Sequence, residues 1–182
     1  MIIGFALLSF FIGFTGMCSF IFGTTKIFSL RKYQKAKTQN DAMFVAWLIF
    51  YCVAIISFLH FSFAIVDTFF YHDLIKYNSL IVTFFAVQSF CGIVICSVNA
   101  AFGIRNKDII IHHLNFVDLA NAIIALSITQ RAILYFAGYE HARLVSCIGG
   151  IFFSLLAGSI CVILFVKISR VQFTGASPFS KT

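Results

Sequence analysis

The stretch Met43–Val66 reads MFVAWLIFYCVAIISFLHFSFAIV, with no Asp, Glu, Lys or Arg in it. It exceeds the about 20 helical residues that cross a hydrocarbon core of about 30 Å. Four further runs have the same character: 2–28, 79–104, 109–136 and 144–168. Backbone groups in lipid must be hydrogen-bonded internally, so such runs are helices or barrel strands. Strand-like alternation is absent, and each run is about twice as long as a barrel strand. The sequence therefore predicts an all-α, polytopic integral membrane protein. Its five transmembrane helices form one domain over residues 1–170, and 171–182 form a short polar tail.

Composition agrees. Of 182 residues, 61% are hydrophobic and 10% charged, against about 25% charged in soluble domains. This excludes a soluble globular enzyme, a disordered chain and a disulfide-stapled secreted module. The single proline, Pro178, lies in the tail, so no span carries a proline kink.

Orientation follows from Lys and Arg. Lys26, Arg31, Lys32, Lys35, Lys37, Arg105, Lys107, Lys167, Arg170 and Lys181 fall on one side, and Lys76, Arg131 and Arg143 on the other. The richer side is the cytoplasmic one. The N-terminus is then outside, the C-terminus cytoplasmic, and the plasma membrane the expected location. The first run lacks a basic leader and exceeds a signal-peptide core, so it is expected to be a retained anchor. Residues Arg31, Lys32, Lys35 and Lys37 sit in the inner loop 29–42 and are expected to attract anionic headgroups. No basic face with interleaved aromatics lies outside the spans, so nucleic acid is not an expected partner.

Polar residues inside spans are rare and costly, and each is a candidate functional position. In the fourth run, Asn115, Asp118, Ala122, Ala125 and Thr129 share a helix sector, with Asn121 at its edge. This stripe is expected to face the bundle interior. Asp118 either lines a solute or ion path or pairs structurally with Lys26 or Arg105. In the second run, Ser57, His60, Ala64 and Asp67 share a face. There His60 is either a proton-relay partner of Asp67 or a neutral imidazole bonded to another helix. Arg131 is expected to reach the outer interface and pair with Asp67, Asp73 or Glu140. His112 and His113 flank the inner interface, and as adjacent helical residues they do not chelate together.

Small residues recur at four-residue spacing: Gly92, Cys96 and Ala100 in the third run, and Gly150, Ser154 and Gly158 in the fifth. Such ridges suit close helix packing, within the chain or against another membrane protein or a second copy. No GxSxG, HExxH or phosphate-cradling loop occurs, and the cysteines form no zinc pattern. No second His lies at the depth of His60 to ligate haem. No catalytic residue, metal or cofactor is expected. Two functions follow: a small transporter or permease subunit moving a solute past the helix-4 stripe, or a structural or sensory module that binds another membrane protein.

Overall fold

The computed structural model describes the backbone of residues 2–35, 39–70, 79–105 and 108–174, and the side chains of 16–34, 40–66, 79–80, 82–103 and 108–173. These residues form five α-helices: α1 (Ile2–Lys35), α2 (Gln39–Phe70), α3 (Ser79–Arg105), α4 (Ile109–Phe136) and α5 (Ala142–Thr174). Four of them contain segments long and apolar enough to cross a membrane: Asn40–Val66, Val82–Gly103, Ile109–Phe136 and Ala142–Phe173. The side chains of α1 up to residue 15 lie outside the described residues.

The fold is built around α4. It packs against each of the other four helices, whereas α3 packs only on α4 among the described residues. The second strong seam joins α2 to α5. Ile49 and Ile56 of α2, Val117 of α4, and Leu164 and Ile168 of α5 are almost fully buried in one core. Of the apolar segment of α4, 56% is buried, against 11% for α3. Among the described residues, α1 and α3 do not touch. A seam therefore runs over α4 between them.

Both ends of α4 have local causes. Asp108 caps the start: its carboxylate accepts from the Ile110 amide at 2.9 Å and the Ile111 amide at 3.3 Å. That satisfies donors which a helix N-terminus otherwise leaves unpaired. At the other end Gly138 adopts φ +63°. The Gly138 and Tyr139 amides donate back to the Tyr135 and Leu134 carbonyls. This left-handed turn favours glycine and stops the helix.

Three helices outrun the expected spans. The sequence placed a loop over 29–42, but α1 continues helically to Lys35 and α2 starts at Gln39. At about 1.5 Å per residue, the 34 residues of α1 reach about 51 Å, well beyond the hydrocarbon core. Packing explains the extension. Ser29, Ala42 and Met43 are buried, and the Tyr33 hydroxyl donates to the Asp108 carboxylate. The helical turns past the expected span are thus held by contacts between α1, α2 and α4. Likewise α5 runs into the expected tail as far as Thr174. Arg31 and Lys32 stay exposed on the α1 extension, with the Lys32 ammonium 5.5 Å from the Phe44 ring centre. Lys37, the Lys35 side chain and the tail 175–182 lie outside the described residues.

The Tyr33–Asp108 clip has a pH signature. Burial first, then the adjoining Asp108 carboxylate, push the Tyr33 phenol up to about 12. In the unfolded chain the phenol ionises near 10. The unfolded state loses this proton first, so stability falls as pH rises between about 10 and 12. Below that window the contribution is complete. Tyr33→Phe should remove this alkaline loss, as read from unfolding curves at stepped pH. Identical alkaline profiles for the two proteins would refute the role of the clip.

Candidate functional site

The polar stripe of α4 lies on the seam between α1 and α3. Each of its main members is engaged by one of those flanking helices. Lys26 of α1 meets Asp118 at 2.6 Å, an ion pair whose side chains are 39% and 29% exposed. The Ser19 hydroxyl of α1 donates to the Asn121 side-chain carbonyl at 3.3 Å. On the α3 side, the Asn115 amide donates to the Asn99 backbone carbonyl at 3.1 Å. That approach needs Gly103, where a Cβ would fall 2.8 Å from Asn115 Nδ2. Further out, the Thr129 and Ser89 hydroxyls are 2.7 Å apart, and Thr129 also reaches the Phe85 carbonyl at 3.1 Å.

The expectation that this stripe faces the bundle interior holds at Ala122 and Thr129, which are buried, and not at its carboxylate and amides. Asn115, Asp118 and Asn121 are only half-buried. The face of α4 turned to the core carries His113, Val117, Ala120 and Ile124 instead. Large aliphatic residues on that face meet the apolar faces of α2 and α5. The polar face is left for the two helices that bring Lys26, Ser19 and the Asn99 carbonyl.

His60 belongs to a different seam. Its Nδ1 lies 2.7 Å from the Ser154 hydroxyl, and that hydroxyl lies 2.7 Å from the Gly150 carbonyl. When Ser154 donates to the carbonyl, its oxygen accepts from His60 Nδ1–H. Both side chains are buried between α2 and α5. One turn outward the two helices come close, and a Cβ at Gly150 would fall 2.9 Å from the Ala64 Cβ. The side chain of Asp67, the expected relay partner, lies outside the described residues.

Arg131 stands apart from both. It is 8% exposed, with its guanidinium 5.5 Å from the Tyr135 ring centre. Asp73 lies outside the described residues, and Glu140 is exposed. The His60–Ser154 and Lys26–Asp118 contacts thus lie on separate seams.

The two small-residue ridges also divide. Gly150 is tightly packed and Ser154 is hydrogen-bonded, whereas a Cβ at Gly92 or Gly158 would meet nothing within 4 Å. Cys96 is half-buried on α3, within electrostatic reach of Asp118 and Lys26. Among the described residues, no three His, Cys, Asp or Glu side chains gather as metal ligands.

Several polar residues escaped the sequence reading. The Tyr33–Asp108 clip did, although Asp before an apolar run is a helix-start signal. The sequence does not announce that the His113 Nδ1–H donates to the Ile109 carbonyl at 2.7 Å. Gln88 and Asn99 were missed because no ionisable residue in the third run draws attention to them, as Asp118 does to Asn115 and Asn121. Both are exposed on α3, and neither side-chain amide meets a partner among the described residues. Against known families, curated proteins and solved structures, the chain matches none.

Proposed function

We propose that this protein is a non-enzymatic assembly module. It spans the plasma membrane five times with its N-terminus outside, and it binds a transmembrane segment along the α1–α3 seam. Exposure of the Lys26–Asp118 pair carries this reading. Asp118 lies about 14 Å along α4 from its start, within the segment read as crossing the membrane. A charged side chain at such depth costs about 2.5–3.5 kcal/mol. Lipid tails offer it no hydrogen bonds, whereas a polar or small-residue helix face does. On the inner side, Arg31, Lys32, Lys35 and Lys37 attract anionic headgroups and hold the module in register with the bilayer.

A second reading, solute or ion passage along the stripe, draws on the same opening beside Asp118. The bonds of Asn115, Asn121 and Thr129 to flanking helices favour assembly, because they use the stripe as interhelical glue.

The test places a photo-crosslinking residue at Ser19 or Cys96, on the two walls of the seam, in native membranes. A discrete adduct is expected. It should weaken in the double variant Lys26→Gln/Asp118→Asn, which removes both charges together and strands neither. Absence of any adduct from both walls would overturn the reading. Proteoliposomes of the purified chain that pass cations, and lose the flux in Asp118→Asn, would replace assembly by passage.

A further inference from the structure

The occupant of the seam can be named from α3. Among the described residues this helix packs on α4 alone, and most of its described surface is exposed. Two amides, Gln88 and Asn99, stand on that exposed surface within the apolar segment Val82–Gly103. They are about 16 Å apart along the axis. Each presents two N–H donors and a carbonyl acceptor. In hydrocarbon no water satisfies them.

Gly92 lies between them. The spacings of four and seven residues set Gln88, Gly92 and Asn99 on one face, the repeat of a left-handed helix pair. Among the described residues nothing explains the glycine, since a Cβ there would meet nothing within 4 Å. A second backbone approaching closely does explain it. The Asn99 backbone carbonyl accepts from Asn115, so this face borders the seam.

We infer that the occupant is a second copy of this chain, docked α3 against α3 about a two-fold axis along the membrane normal. This rests on the assembly reading and deepens it. The argument is charge complementarity of an unusual kind. A two-fold axis brings each residue opposite itself. A lone carboxylate or ammonium would repel its twin. An amide does not, because its partly positive NH2 meets the partly negative carbonyl of the same residue in the other copy. Gln88 pairs with Gln88, Asn99 with Asn99, and Gly92 lets the two backbones close between them.

The experiment counts subunits of the purified full chain in liposomes by single-molecule photobleaching, at decreasing protein density. Dimers are expected. Gln88→Leu should weaken association by about 3- to 30-fold, the range for one interhelical hydrogen bond in a membrane. Gly92→Ile should abolish it, because the side chain wedges the backbones apart. Both positions face outward, so the melting temperature of each variant should match the wild type. Gly158→Ile, at an equally open glycine on α5, should leave association intact. Monomers at every density, or equal weakening by Gly92→Ile and Gly158→Ile, would overturn the inference. If the chain is monomeric yet the seam crosslinker captures a different polypeptide, the second copy fails and the assembly reading stands. If neither dimer nor adduct forms, both fail.

Discussion

Asp118→Leu should destabilise the protein by about 2–3 kcal/mol, because it leaves the Lys26 ammonium in the membrane without its carboxylate. In the native chain that carboxylate is 2.6 Å away. Leu itself suits the hydrocarbon, so the loss comes from the stranded cation and not from the new side chain. The double variant Lys26→Met/Asp118→Leu removes the cation as well. It should recover most of the loss, since a pair replaced by apolar residues of similar size is often neutral. Unfolding in phosphocholine micelles measures both. A double variant as unstable as the single one would show that Asp118 acts through something other than Lys26.

The other large effect is steric. Gly150→Leu should cost about 3 kcal/mol, the upper end for an overpacked contact. The first added carbon already falls 2.9 Å from the Ala64 Cβ. Neither atom is the loose end of a flexible chain, so α2 and α5 must move apart. That motion also stretches the His60–Ser154 hydrogen bond one turn away. Gly158→Leu is the matched comparison. It lies on the same helix with nothing within 4 Å, and it should change stability by no more than about 0.5 kcal/mol. Equal losses at the two glycines would mean that the α2–α5 approach does not set the cost, since the gain in helix propensity from Gly to Leu is the same at both.

The contrast between these glycines shows what the sequence can and cannot say. Gly150, Ser154 and Gly158 look alike as a small-residue ridge. Only the neighbour opposite each one decides whether smallness matters. Helix existence was legible because uninterrupted apolar runs admit little else. Helix ends were less so: the buried contacts of Ser29, Tyr33, Ala42 and Met43 extend helices through a stretch whose charges suggest a loop. Faces were least legible. Helices apolar all round carry little amphipathic pattern, so the stripe around Asp118 gave its own relative direction but not its neighbours. That Lys26 meets Asp118 required the antiparallel register of α1 and α4. That Ser154 meets His60 required knowing that α2 lies beside α5 and not α3.

This last pairing also sets a clock. The residues joined by the His60–Ser154 bond are 94 positions apart in the chain. At about 5–20 residues per second of synthesis, His60 precedes its partner by about 5–20 s. Through that interval α2 is complete and its imidazole has no serine to meet. Helices α3 and α4 are made first, and α3 then folds back on α4 rather than on α2. The core therefore closes with α5, and a chain halted before it leaves the apolar face of Ile49, Val53 and Ile56 uncovered, with the His60 imidazole among them.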